Sequence, residues 1–452
     1  MQADAPSRGG MPLYTKILLG LVLGAGGGTA AKLIWGEHPR LLWTVETITY
    51  PVGQVFLRML FMVIVPLVFT SVALGVASLG DVRRVGRIGG KTLLFFLATT
   101  AVAATIGLLL VNTIKPGASL DPAMRAALMQ EYSTQADATM AAAQTTAFGI
   151  NTFVNIVPRN PVQAAASGDM LGLIFFSLIF GIALTMIAES AAKPVVAVLE
   201  GIAQAVMVMI NFAMKIAPMG VFGLLFSVTA KFGYHLLGSL LLYVLAVLLG
   251  LAIHQFAVIP FLARVLAGIR PLEFLRKAKE LMITAVSLSS SNATLPTTIR
   301  TATEKFGVPR GIAGFVLPVG ATMNMNGTAL FEGMTVLFLA QVFGVHLDLL
   351  TQVIVVVMAV ITAVGVAGVP SGSIPLLVMV LGMVGIPGEG IALILGVDRI
   401  LDMCRTVPNV TGDLLTSLVI TRSEGLPFAV PDPFPVGAAA VAATPGPAGE
   451  AV

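Results

Sequence analysis

The chain has 452 residues, 57% of them in the set AVILMFWYC and only 11% charged, and its mean hydropathy is +0.95. Soluble domains carry about 25% charged residues and cannot hide this much apolar surface in one core, so the composition excludes a soluble globular fold and indicates a multi-spanning membrane protein. A formal charge of +4 and a pI near 9.3 do not point to nucleic acid, since the basic residues sit in short loops, where the positive-inside rule puts them.

Residues 1–12 read as a polar cytoplasmic tail, and the apolar run behind them is too long for a cleavable signal. Long apolar stretches occupy 13–36, 45–79, 92–113, 147–188, 194–229, 236–263, 311–343 and 390–420. Each reaches the ~20 residues that a span needs. The first carries Gly20, Gly24 and Gly28 at four-residue spacing, which suits a helix-packing face. Two stretches behave differently: 281–299 ends in a serine run, and 353–387 is interrupted by Gly365, Gly368, Pro370 and Gly372. Apolar pieces of about 10–14 residues fit re-entrant segments. The expected fold class is an all-α integral membrane protein of eight transmembrane helices plus two re-entrant helical hairpins.

Loop charges set the orientation. Arg83, Arg84, Arg87 and Lys91 lie between spans two and three, and Arg264, Arg270, Arg276, Lys277 and Lys279 follow span six. The 116–146 loop is poor in basic residues and reads as extracellular. Both termini are therefore expected in the cytoplasm. The Pro/Ala/Gly-rich tail 424–452 is expected to be disordered. One cysteine, Cys404, excludes an intramolecular disulfide, and four histidines without close spacing exclude an obvious zinc site.

The last span carries Asp398, Arg399, Asp402, Arg405, Thr406, Asn409 and Asp413. At about 100° per residue, Asp398, Asp402, Arg405, Asn409 and Asp413 fall within an arc of about 80°. Each charge at mid-bilayer costs at least ~2.5–3.5 kcal/mol on insertion scales, so such a stripe points to a substrate or ion path. A structural ion-pair network between helices is the alternative. Arg405 is a planar fork suited to a carboxylate, and Asp402, one turn away, suits an ammonium. Asp413 and Asn409 offer hard oxygens for Na⁺ or a proton. Arg399, at the edge of the stripe, has no assigned partner. Three other polar breaks are expected to meet the stripe: Ser287–Thr294 before Pro296, Asn324–Thr328 inside span seven, and Gly365–Ser373. Glycine, Asn and Thr there favour unwinding, which frees carbonyls for cations. The order of hairpin then broken span occurs twice, as in transporters built from inverted repeats.

Ser289–Pro296, Asn324–Thr328, Ala367–Pro370 and Asp398 through Asp413, in this order, resemble the dicarboxylate/amino acid:cation symporter family over most of residues 13–423. The resemblance implies a homotrimer and an elevator-type movement. Scaffold segments would be 13–79 (spans 1–2) and 147–229 (spans 4–5); transport segments would be 80–115 (span 3) and 230–423 (span 6, hairpin 1, span 7, hairpin 2, span 8). It implies that Ser290, Ser291, Thr328, Val369, Asp402, Arg405, Thr406 and Asn409 bind substrate. It implies sodium sites at Asp413 with carbonyls of Gly320, Asn324 and Asn409, and at carbonyls of Thr322, Ala363, Val364 and Val366. Sodium-coupled relatives usually have Asp where this chain has Asn326, so a third ion site at Phe96, Thr99, Thr100 and Asn326 has lost its charge. Asp413 argues the other way, because proton-coupled relatives tend to have Asn there.

The favoured function is cation-driven uptake of glutamate or aspartate, with Na⁺ preferred over H⁺ and no organic cofactor, across a bacterial inner membrane. C4-dicarboxylate uptake (succinate, fumarate or malate) is the alternative. An anion channel, whose pore the stripe would line, is a third reading. A catalytic role, with Cys404 beside Arg405 as a thiol, ranks last because no nucleophile–base pair is visible.

Overall fold

The computed structural model describes residues 11, 13–36, 38–77, 82–118, 120, 157–167, 170–233, 235–365, 368 and 372–428. Among them the secondary structure is helical, without strands. The tail beyond residue 428, for which disorder is expected from sequence, most of the 116–146 loop and most of the polar start lie outside the described residues. Among the described residues, five helical runs are long and apolar enough to cross a membrane: Thr15–Trp35, Pro39–Ala77, Arg87–Ile114, Glu189–Phe232 and Leu237–Ala267.

Helix α1 (Leu13–Trp35) lies along the long helix α8 (Glu189–Phe232). The glycine face predicted on α1 is the contact: Gly20, Gly24 and Gly28 meet the backbone of Pro218, Phe222 and Phe226. A Cβ at Gly24 would stand 2.6 Å from the Phe222 carbonyl oxygen, so only glycine allows the approach. At 44 residues α8 is about 66 Å long, well over the ~30 Å hydrocarbon thickness. Pro194 and Pro218 interrupt its hydrogen-bond ladder. The second span is a chain of pieces: α2 (Pro39–Thr44), a π turn (Val45–Thr49), α3 (Tyr50–Phe61) and α4 (Ile64–Ala77), with a break at Met62 and Val63. Helix α5 (Val82–Ile114) follows. After the short α6 (Pro161–Ser167) comes α7 (Met170–Met186), which packs on α4.

Helix α9 (His235–Ile253) continues through two π turns and α10 (Ile259–Leu262) to Gly268. Leu241, Leu245 and Leu249 form an exposed apolar ridge on α9, while Tyr243, Ala246 and Val247 on its other side are buried. That division is what a hydrocarbon solvent on one side and protein on the other require. The first hairpin is α11 (Pro271–Leu288) and α12 (Ser291–Arg300), joined at Ser289, whose φ of 49° is left-handed. Span seven is broken as expected, into α13 (Arg310–Met323) and α14 (Asn326–Phe343), with Asn324 and Met325 out of the helical region. The second hairpin comprises α15 (Leu349–Gly365) and α16 (Ile374–Met383). The last helix, α17 (Ala392–Ser423), packs against α1, α5, α8, α9 and the four helices α11–α14. It is enclosed by protein, which lets it carry charge.

The glycine face yields a paired prediction. Gly24→Ala forces a Cβ into the α8 backbone and should cost about 1–3 kcal/mol. Gly26→Ala, with nothing within 4 Å of the new atom, should be neutral or mildly stabilising. Thermal unfolding of the detergent-purified protein checks this; equal melting temperatures for the two variants would refute the contact.

Candidate functional site

The arc predicted on the last span is present and faces inward. Asp398, Asp402, Arg405, Asn409 and Asp413 are all buried on α17. A guanidinium here is tolerable only if its charge is matched, and the structure matches it twice. Arg405 Nη1 donates to Asp398 Oδ1 at 2.9 Å, and Nε donates to Asp402 Oδ1 at 3.0 Å. Nη2 stands 2.8 Å from the same Asp402 oxygen. The guanidinium also lies over the Phe331 ring, 4.3 Å from its centroid, a cation–π contact that strengthens on desolvation. Arg399, unassigned from sequence, points Nη1 at Asp402 Oδ2, 3.3 Å away.

Around this pair lies a small, partly open polar cavity, lined by Ser289, Ser291, Met325, Thr328, Gly368, Gly372, Ser373, Asp402, Arg405, Thr406 and Asn409. The sequence expectation named Ser291, Thr328, Asp402, Arg405, Thr406 and Asn409 for substrate, and the structure brings these six together. Ser290 is placed differently. Its hydroxyl caps α12 by accepting from Ala293 N at 3.1 Å and donates to the Gly368 carbonyl at 2.6 Å. It therefore builds the hairpin tip rather than lining the cavity. Val369 lies outside the described residues.

The two hairpin tips touch. Gly368 O also accepts from Asn292 N at 3.1 Å, and a Cβ on Gly368 would stand 2.5 Å from Ala321 O. Both hairpin tips and the last turn of α13 thus meet at one glycine, which lines the cavity.

On the cation side, Asn324 Nδ2 donates to Asp413 Oδ1 at 2.8 Å. A Cβ on Gly320 would reach within 2.4 Å of that carboxylate oxygen, so the glycine clears its space. Asn324 Oδ1 is buried with no hydrogen-bond partner. An orphan acceptor beside a carboxylate suits a hard cation. Asn409 binds the broken span: its Oδ1 accepts from Gly327 N at 2.8 Å, and its Nδ2 donates to Thr328 Oγ1 and faces Met325 Sδ, both at 3.3 Å. Of the second carbonyl set, Thr322 donates its hydroxyl within α13 to Val319 O, Ala363 is buried near the end of α15, and α13 and α15 pack together. Val364 is half-buried beside Ala363, and Val366 lies outside the described residues.

At the altered third set, Thr100 Oγ1 donates to Asn326 Oδ1 at 2.8 Å, leaving Asn326 Nδ2 as a buried unpartnered donor. A donor is the wrong polarity for a cation. Thr99 is satisfied within its own helix by Phe95 O and Phe96 O, and Phe96 is a fully buried core ring. Among the described residues, no three of His, Cys, Asp and Glu converge as a metal cage. Cys404 is half-buried beside the core.

Sequence reasoning missed Glu332. It is fully buried on α14; Oε2 accepts from Thr362 Oγ1 at 2.6 Å, and Oε1 has no partner. The signal was available, because it is the lone charge in 311–343. Phe331 left no such signal: an apolar residue shows its role only once its neighbours are known.

The sequence matches the description "Sodium:dicarboxylate symporter family" over residues 13–423. It is 38% identical over 416 residues to the proton/sodium-glutamate symport protein of Bacillus subtilis (strain 168), covering 92% of this chain and 93% of that relative. It is 37% identical over 384 residues to the proton/glutamate-aspartate symporter of Escherichia coli (strain K12), covering 84% and 86%. With the C4-dicarboxylate transport protein of Rhodospirillum rubrum it shares 32% over 418 residues, covering 91% and 88%. A buried cation and its acids above a polar cavity, on a chain matched almost end to end, lead to one conclusion: this chain belongs to the sodium:dicarboxylate symporter family.

Proposed function

We propose that this chain is a secondary active symporter that takes up glutamate or aspartate, driven by a Na⁺ gradient across a bacterial inner membrane. The observation that carries the reading is the buried Arg405, held by two carboxylates above a cavity rimmed by hydroxyls. Arg405 takes the substrate side-chain carboxylate as a bidentate pair, and Asp402 takes the amino group. Ser291, Thr328 and Asn409 supply short polar contacts to the remaining carboxylate. The names of the Bacillus subtilis and Escherichia coli relatives agree with this substrate class.

In this reading Na⁺ binds at Asp413 with oxygens of Gly320, Asn324 and Asn409. Ordering the 324–328 break by an ion preorganises Met325 and Thr328 for substrate, which is thermodynamic coupling. The contact at Gly368 is the closed state of an outer gate formed by the second hairpin. Spans 3, 6, 7 and 8 with both hairpins move as one body past spans 1, 2, 4 and 5, within a homotrimer whose termini are cytoplasmic.

Two specific observations favour variants of this reading. Asp402 already has cations on both oxygens, so a dicarboxylate without an amino group leaves no unpaired acid. The Rhodospirillum rubrum relative carries that substrate class in its name. Glu332, buried with one oxygen unpartnered, is a chemically suitable proton carrier if H⁺ drives uptake.

Arg405→Ala removes the carboxylate fork and strands Asp398 and Asp402. Uptake of labelled L-aspartate into proteoliposomes should fall by about 100-fold or more, with a monodisperse protein by gel filtration. Retained uptake would end the pocket assignment. Asp413→Asn should raise the Na⁺ concentration for half-maximal uptake by at least about tenfold, whereas under proton coupling it is Glu332→Gln that should abolish the response to an imposed pH gradient.

A further inference from the structure

We infer that Arg399 is a specificity-determining residue: a resident cation that stands in for the substrate's ammonium at Asp402 and sets the balance between acidic amino acids and dicarboxylates. This rests on the proposed placement of substrate at Arg405 and Asp402.

The two oxygens of Asp402 meet different cations. Its side chain is only 6% exposed. Oδ1 is taken by Arg405, and Oδ2 faces Arg399 Nη1. The two arginines hold Asp402 unequally. Arg405 is anchored twice, by Asp398 and by the Phe331 face, and it bonds Asp402 at 3.0 Å. Arg399 is 18% exposed and reaches Asp402 at 3.3 Å, while its Nε is buried without a partner. Arg399 is the more exposed and more weakly bonded partner, so an incoming cation displaces it first.

Substrate chemistry then divides. An α-amino acid brings an ammonium that needs an Asp402 oxygen, so its binding competes with Arg399. A C4-dicarboxylate brings no cation. Its carboxylate draws on Arg405, and Asp402 would be left a poorly matched buried anion. Arg399 prevents that by keeping Oδ2 paired. Removing the Arg399 charge therefore favours amino acids by freeing Asp402, and penalises dicarboxylates by stranding it. Both effects shift the preference in one direction.

The test measures displacement of labelled L-aspartate by succinate on the purified full-length protein, for the wild type and for Arg399→Gln, Arg399→Met and Arg399→Lys. The ratio of succinate to aspartate dissociation constants should rise about tenfold, or about 1.4 kcal/mol, in the Gln and Met variants. The Lys variant, which keeps the charge, should stay within about threefold of the wild type. A structural role would weaken both ligands together and leave the ratio alone. An unchanged ratio in whichever neutral variant assembles, or an equal shift in the Lys variant, would overturn the inference. A wild type that binds neither ligand would instead overturn the functional reading beneath it.

Discussion

Everything in this molecule is arranged around a guanidinium that has been taken out of water. Arg405 is 2% exposed, and a lone charge in that position would cost many kilocalories per mole. Asp398 and Asp402 neutralise it, and Phe331 gives it a π face. Those partners oblige α17 to be surrounded by protein, because a helix with this stripe cannot face lipid. Helices α11 to α14 and parts of α1, α8 and α9 provide the enclosure. They do so with broken ends, since only irregular backbone and short polar side chains satisfy the stripe at close quarters.

The second consequence is a mechanical link. Arg405 and Asp413 are eight residues apart, about 12 Å along one helix. Both regions lean on the same break in span seven. Asn324 bonds Asp413, while Met325, Gly327 and Thr328 contact Asn409 beside the cavity. An ion bound at Asn324, as proposed, would therefore order Met325, Gly327 and Thr328 as well. The contact of Ser290 and Asn292 with Gly368 closes the same region from the other side. In the proposed reading substrate, ion and gate would share a few residues, which is the physical requirement for strict coupling.

Much of this was legible in the sequence. The stripe on the last span was readable because charges in an apolar run are costly and their spacing fixes the face. The span-seven break was readable because Asn324 and Gly327 are poor helix formers, and the glycine face because its four-residue spacing is regular. The cap and Gly368 bond made by Ser290 were not legible, because capping and ligand binding draw on the same hydroxyl chemistry. Arg399 had no role because helical angle alone cannot show which way a long side chain bends. Phe331 acts through contacts made by distant segments. Glu332 was overlooked although its charge alone marked it. The four-part composition of the second span also escaped notice, since π turns leave no distinctive residue pattern.

The central claim is that acidic substrate and cation bind one interlocked site. Isothermal titration of L-aspartate into the purified protein, at low and high Na⁺ and constant ionic strength, tests it without any assumption about movement. The account predicts an aspartate affinity that strengthens at least about tenfold with Na⁺. An affinity indifferent to Na⁺, or no binding in either condition, would contradict it.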